Sequence, residues 1–238
     1  MQNIVHYTQF QANQLQYTEP KLNVHGKGKS VYQHYVDGKR KCVIQTPVLY
    51  VPFAVSQFQE EGATYTKYTL VISLKDCDPL FREMIQSIDE SNVVSAIHNN
   101  RTWFSENKEV SAEIMQDRYR RVLRSDSKGK YDDQFRVKLP FKQDGTFDGF
   151  VFDEHKNVTG IDAIEPGCKI RMLMEIGNIY LADKTFGQVL KAVQLQVFKP
   201  EKLSGFAFQE SCDVNASAAE EHAEEDDMED EDDSSNAD

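Results

Sequence analysis

Between residues 64 and 75 the side chains alternate between apolar and polar with a period of two, and this repeat constrains the fold more than any other part of the sequence. Its apolar positions are Tyr68, Leu70, Ile72 and Leu74. Because successive side chains of a β-strand point to opposite faces, the repeat predicts a strand with one face in a core and the other outside it.

Further strands are predicted at residues 30–36, 41–45, 48–55, 131–139, 146–152, 169–176, 179–182 and 190–198. Turn residues separate several of them, including Asp37-Gly38 and Gly177-Asn178. Short strands that follow one another through turns are typical of an antiparallel meander.

A helical period interrupts the strands. Asp78 and Pro79 are residue types preferred at the N-cap and the first position of a helix, and the apolar residues after them recur at helical spacing. We expect a helix that breaks near Ser91, then a second helix at about residues 109–123 with Ile114 on its inward face.

The order of the elements is therefore strands, a helical insertion at about residues 78–124, and more strands. This order lacks the regular strand-helix alternation of a doubly wound sheet and favours a small barrel or sandwich. We expect a mainly β fold, an OB-like antiparallel β-barrel, in a domain that covers residues 1–208.

Charge is distributed very unevenly along the chain. The net charge is −12, yet the acids after Lys202 contribute −14, which leaves +2 for the body. Residues 209–238 also lack aromatic side chains, so they have little with which to build a core, and we expect a disordered acidic tail. Such a tail is either a solubilising appendage or a DNA mimic that occupies a cationic groove of the body. The proposed regulatory acids are Glu224, Glu225, Asp226, Asp227, Glu229, Asp230, Glu231, Asp232 and Asp233.

Motifs of enzymes, metal sites and membrane spans are absent from the sequence. Gly28-Lys29-Ser30 ends like a phosphate loop, but Gly26 is too close to Gly28 for the Walker spacing. The four cysteines are too widely spaced to indicate a zinc site or a disulfide framework. We therefore expect an intracellular protein that is not an enzyme, needs no cofactor or metal, and does not associate with membranes.

The body combines cationic side chains with aromatic ones, as proteins that bind single-stranded nucleic acid do. An aromatic residue in a strand more often belongs to the core than to a surface on which bases stack. We expect Tyr65 and Trp103 to be exceptions. Tyr65 falls on the polar face of its strand, and Trp103 has polar neighbours in an expected loop. The candidate DNA-binding residues are Lys27, Lys29, Tyr32, Arg40, Lys41, Tyr65, Lys67, Trp103, Arg118, Arg120, Arg121, Arg124, Lys128, Lys130, Arg136 and Lys138.

Several segments also carry a resemblance to a known family. They are Val43–Phe53, Tyr68–Leu74, Ile88-Asp89-Glu90, Trp103-Phe104, Tyr131, Arg136–Pro140, Ile179-Tyr180 and Phe186–Gln194. Their order over residues 20–200 resembles that of the single-stranded DNA-binding proteins of nucleocytoplasmic large DNA viruses. That family resembles phage replication proteins with an OB fold, a helical insertion and an acidic tail. Unlike the phage tails, this chain does not end in an aromatic residue.

The resemblance implies a sequence-nonspecific single-stranded DNA-binding protein that acts in viral DNA replication, recombination or repair. Its expected partners are single-stranded DNA, replication proteins recruited by the tail, and a second copy of the chain in a homodimer. The expected location is the host nucleus or a cytoplasmic viral replication site. The alternative is a histone-chaperone-like β protein whose acidic tail binds basic partners.

Overall fold

The computed structural model describes residues 3–23, 28–36, 41–59, 61, 66–105, 110–200, 205 and 208. The chain divides into two compact units, Met1–Pro200 and Glu201–Asp238. The Asp37-Gly38 turn and the predicted acidic tail lie outside the described residues. Among the described helices, none is long and apolar enough to cross a membrane.

Strands dominate the first unit. They are β1 Asn3–His6, β2 Leu15–Tyr17, β3 Lys21–Leu22, β4 Lys29–Tyr35, β5 Cys42–Gln45, β6 Leu49–Tyr50, β7 Ser56–Phe58, β8 Lys67–Ser73, β9 Tyr119–Arg120, β10 Gln134–Leu139, β11 Phe150–Phe152, β12 Val158–Thr159, β13 Lys169–Ala182 and β14 Thr185–Phe198. The helices between β8 and β9 are α1 Pro79–His98, α2 Asn100–Phe104 and α3 Ala112–Arg118.

Five strands close a ring, in the order β6, β8, β10, β14, β13 and back to β6. All neighbours in this ring are antiparallel except β10 and β14, which are parallel. A small closed barrel of five strands with a helical insertion is the OB-like architecture that the sequence predicts, and the mainly β fold class is confirmed.

The expected antiparallel meander is wrong in one respect. One edge of β14 pairs in parallel with β9, β10 and β11 in turn, and β1 also runs parallel to β5. One of these parallel partners, β9, lies at the end of the helical insertion.

The alternating repeats form the core as expected. Leu70, Ile72 and Leu74 are buried, and Phe135 and Val137 face them from β10. The predicted strand over residues 48–55 is reduced to Leu49–Tyr50. Prolines 47 and 52 flank this strand, and a proline lacks the N–H that a longer ladder would need.

The helix α1 begins as predicted, with the Asp78 carboxylate accepting a hydrogen bond from the backbone N–H of Leu80. The predicted break near Ser91 is wrong, because α1 continues to His98. The Ser91 hydroxyl bonds to Tyr17 and to the carbonyl of Ala12, so it does not compete with the helix backbone.

The second predicted helix is shorter than expected, and a different side of it faces the core. It ends at Arg118 because the next two residues pair with β14. Met115 is its buried residue, whereas Ile114 is 46% exposed.

A polar network beneath α1 joins the insertion to the barrel. The buried Asn92 side chain bonds to the side chains of Tyr17, Gln33, Tyr119 and Gln188. All four of its hydrogen-bonding positions are thus used.

The carboxylate of Asp89 lies in the same network. It accepts hydrogen bonds from the hydroxyl of Tyr119 and from the backbone N–H groups of Val122 and Leu123. Burial nevertheless raises the pKa of Asp89 above its ordinary value, since these hydrogen bonds and Arg121 oppose the shift only in part.

Trp103 corrects one of the predicted binding residues. It lies in α2 rather than in a loop, and it is only 3% exposed. Its ring packs 5.8 Å from that of Tyr17, in a second hydrophobic cluster that includes Met115 and Phe186. The polar neighbours that suggested exposure occupy the outer side of a short helix, while the indole points beneath it. In this conformation the ring is not available to stack on a base.

Candidate nucleic-acid interface

Three lysines meet on the outer face of the barrel, and we call them the lysine cluster: Lys67, Lys138 and Lys191. Lys138 on β10 is paired with Lys191 on β14 and, on its other side, with Thr69 on β8. Lys67 is two residues from Thr69 and therefore faces the same way. Strand register alone brings together residues that are far apart in the sequence.

The lysine cluster is electrostatically unfavourable in the free protein. The pKa of Lys138 is below its ordinary value, first because its ammonium is partly desolvated and then because Lys67 and Lys191 repel it. Each effect penalises the charged form of a lysine. A polyanion placed on this face would relieve the repulsion, which is the property expected of a phosphate-binding surface.

A buried carboxylate links the lysine cluster to a fourth cation. An oxygen of Glu175 lies 3.1 Å from the Lys41 ammonium and 4.0 Å from that of Lys191, while only 10% of the Glu175 side chain is exposed. The Lys41 side chain is 65% exposed. Glu175 can therefore fix the position of both ammonium groups while it neutralises only one of the two charges.

A cavity of about 260 Å³ opens beside this pair, between β4 and β13. Tyr32, His34 and Asn178 contribute to its lining together with Lys41 and Lys191. Tyr32 is 46% exposed, and Nδ1 of His34 is buried without a hydrogen-bond partner in the described part of the chain. The predicted residues Tyr32 and Lys41 thus lie on the same side of the barrel as the lysine cluster.

Arginines extend the positive charge of the lysine cluster along β14. Arg120 is paired with Gly187, and the ring of Tyr180 covers that glycine, where a Cβ atom would lie 2.8 Å from the tyrosine hydroxyl. Burial raises the pKa of Tyr180, whereas Arg120 and Arg124 lower it. The positive charge of both arginines therefore acts at the Tyr180 ring.

Arg136, the remaining predicted arginine of this face, is positioned by β10. Arg124 bridges to Gln134, and Arg136 and Lys138 follow Gln134 at intervals of two residues. The sheet thus places on one outer face the predicted residues Tyr32, Lys41, Lys67, Arg120, Arg124, Arg136 and Lys138. We call this surface the cationic face.

Other predicted residues lie elsewhere. The Lys29 ammonium reaches the hydroxyl of Ser105 beyond α2, at 3.4 Å. Arg118 is the last residue of α3, and Lys128 and Lys130 are exposed in the loop that follows β9. The charge of Arg121 interacts with the carboxylate of Asp89 and lowers its pKa. Lys27, Arg40 and Tyr65 lie outside the described residues.

Sequence reasoning missed Lys191 and the aromatic residues Phe58, Phe150 and Tyr180. Phe58 on β7 is paired with Lys67 and is 61% exposed, and Phe150 on β11 is 62% exposed. Nothing in the sequence separates these rings from core residues, because exposure depends on which strand lies beside them. Lys191 stands within an apolar-rich stretch and attracts no notice until its partner Lys138 is known.

The fold and this surface define an OB-like β-barrel with a helical insertion and a cationic outer face. The chain belongs to a family of unknown function, DUF5871, whose model matches residues 66–210. That segment contains all three members of the lysine cluster.

Comparison with other proteins gives more distant similarities. Uncharacterized protein L291 of Acanthamoeba polyphaga mimivirus is 24% identical over 170 residues, which are 68% of this chain and 27% of that protein. The chain therefore spans about a quarter of the length of this relative.

Among solved structures, the single-stranded DNA-binding protein from bacteriophage Enc34 in complex with ssDNA is 11% identical, with a TM-score of 0.39. The similarity covers 79% of this chain and 98% of that one. The chain is also 11% identical to gp2.5, a single-stranded DNA-binding protein encoded by bacteriophage T7, with a TM-score of 0.44. That similarity covers 70% of this chain and 91% of gp2.5.

Proposed function

We propose that this protein binds single-stranded DNA without sequence preference. The observation that carries the proposal is the lysine cluster, three like charges that strand pairing holds on one outer face, where desolvation and then repulsion by Lys67 and Lys191 lower the pKa of Lys138. Cations held close together against their repulsion are expected where phosphates bind. Contacts to phosphates carry no sequence information, so the binding is general.

Single strands fit this face better than a duplex does. Proteins that bind single strands combine a cationic track with aromatic rings on which unpaired bases stack. Exposed rings border the lysine cluster, namely Phe58 on β7 and Tyr32 on β4. In a duplex, paired and stacked bases do not present their faces to such rings.

The proposal extends to a role in viral DNA replication, recombination or repair. It rests on the resemblance to single-stranded DNA-binding proteins of nucleocytoplasmic large DNA viruses. The proposed role is to coat DNA and involves no catalysed reaction. We further propose that the acidic tail competes with DNA for the cationic face and recruits replication proteins.

Fluorescence anisotropy of labelled oligo(dT) tests the binding. We expect the full chain to bind oligo(dT) more tightly than a duplex of equal length at the same salt concentration. The logarithm of affinity should fall with the logarithm of salt by about 0.7 for each phosphate neutralised. Equal or tighter binding of the duplex would contradict the proposal.

The same assay separates the tail hypothesis from the alternative function. In a full-length variant, the nine regulatory acids from Glu224 to Asp233 are replaced by their amides, which removes charge without changing length. If the tail competes, this variant binds oligo(dT) more tightly at low salt, and the two proteins converge at high salt. If the protein is instead histone-chaperone-like, the unaltered chain binds histones and not oligo(dT), and the variant loses histone binding.

A further inference from the structure

The outer face of β14 continues beyond the lysine cluster onto a strand that lacks basic residues. Strands β10 and β11 occupy the same edge of β14, one after the other, with Lys138 paired with Lys191 and Phe150 paired with Gln194. Lys191 and Gln194 are three positions apart, roughly 10 Å along a strand. The register of β14 against β13 shifts between Ala192 and Gln194, which allows both side chains to point outward. The two parts of the face are therefore adjacent.

Two phenylalanines form the surface of this second part. Phe150 and Phe152 lie on the outer side of β11, since Val151 between them is buried in the core. Their rings are stacked, with centroids 6.3 Å apart and planes at 28°. Phe150 is 62% exposed. Phe152 is partly buried, so the pair presents mainly the Phe150 ring to solvent, as a site of interaction would.

Hydrogen-bonding side chains lie directly beside the two rings. Gln194 and Gln196 are the β14 partners of Phe150 and Phe152. The guanidinium of Arg171 donates to the amide oxygen of Gln196 at 2.6 Å. These three side chains border an open cavity of about 390 Å³ between β1 and β14. The rings thus adjoin a surface that can donate and accept hydrogen bonds.

We infer that Phe150 and Phe152 form a base-stacking platform for a single strand whose phosphates lie on the lysine cluster. This inference rests on the proposed function. Three features identify the occupant: the Phe150 ring is exposed, amide and guanidinium groups lie beside the pair, and the surface is continuous with a cationic track. A purely apolar partner would remove water from the Arg171 guanidinium, whose bond to Gln196 uses only part of its five N–H donors.

The experiment compares two ligands, oligo(dT) and an abasic oligonucleotide of equal length, which keeps the phosphates but offers no base. Full-length Phe150→Ala/Phe152→Ala should bind oligo(dT) about 5-fold to 150-fold less tightly, the range for loss of stacking on one base. Its affinity for the abasic ligand should stay within twofold of that of the unaltered chain. Leu80→Ala is the matched control, since Leu80 is an apolar residue of comparable exposure, 51%, and belongs to α1. We expect it to change neither affinity.

A second variant keeps the test decisive if the double variant does not fold. Phe150→Trp places an exposed indole on the platform, while the natural Trp103 is buried. We expect oligo(dT) to quench the added emission and the abasic ligand to leave it unchanged.

The outcomes distinguish this inference from the proposed function. If the unaltered chain does not bind oligo(dT), the proposed function itself fails. If it binds, but the double variant loses affinity equally for both ligands or for neither, the platform is refuted and the function stands. A change in sedimentation coefficient without a change in DNA affinity would assign the two rings to contact with a second copy of the chain, which also overturns the inference.

Discussion

Replacing Lys138 by glutamine should stabilise the protein and weaken DNA binding at the same time. In the folded state its pKa is lowered by desolvation and by Lys67 and Lys191. At neutral pH the charged form therefore costs folding free energy, and glutamine removes that cost. Because solvent screens exposed charges, we expect a gain of at most about 1 kcal/mol. In a chain of this length that gain raises the melting temperature by roughly 2–4 °C.

The effect of Lys138→Gln on DNA binding follows from counterion release. One lost phosphate contact reduces the slope of log affinity against log salt by about 0.7. If affinities converge near 1 M salt, the loss at 0.1 M is about fivefold. Circular dichroism melts and anisotropy with oligo(dT) at four or more salt concentrations measure the two effects.

A matched control removes the same charge outside the lysine cluster. Lys75 is exposed in the turn before α1. We expect Lys75→Gln to change both the melting temperature and the salt slope less than Lys138→Gln does. The stability of the unaltered chain should also depend on pH. As pH rises through the lowered pKa of Lys138 toward 10.5, the unfolded state binds more protons, so this residue's destabilising contribution disappears. An unchanged salt slope, or a lower melting temperature for Lys138→Gln, would refute the assignment of a repulsive phosphate site.

Three further predictions concern the helical insertion. Asn92→Leu should lower the free energy of unfolding by roughly 2–5 kcal/mol in urea titrations, because it removes a hydrogen bond from four polar side chains, of which Gln33 and Tyr119 are buried. Trp103→Ala should destabilise the fold by about 3–5 kcal/mol, while the fraction that remains folded keeps its affinity for oligo(dT); a loss of affinity without loss of stability would contradict its burial. Since the pKa of Asp89 is raised in the folded state, stability relative to Asp89→Asn should increase as pH falls through that pKa toward 3.8, and the opposite trend in melts across pH would refute the assignment.

The parts of the fold that depend on local physics were predictable from the sequence. The N-cap of α1 follows from Asp78 and Pro79, whose residue types fit that position in any helix. The inward face of β8 follows from the two-residue repeat that contains Leu70 and Ile72. Each of these features depends on neighbours within a few positions of the chain.

The parts that depend on distant pairing were not predictable. Polar neighbours made Trp103 look exposed, but tertiary packing decides which side of α2 is covered. Gly177-Asn178 looked like a turn, whereas β13 continues through it with a shift in register against β14. The predicted residues Lys67 and Lys138 are far apart in the sequence, and only the pairing of β8, β10 and β14 places them in one cluster with Lys191.

Strand register therefore decides both the core and the candidate site. On β14, Leu190 and Ala192 are buried while Lys191 between them faces outward. A shift of one residue would turn Lys191 into the core and expose its two neighbours. This register requires glycine at position 177, because a Cβ atom there would lie 2.7 Å from the carbonyl oxygen of Val189. Burial of the apolar residues thus selects the register, and the same register places the lysines close together. The stability of the core therefore offsets the repulsion between the lysines, which a bound polyanion would relieve.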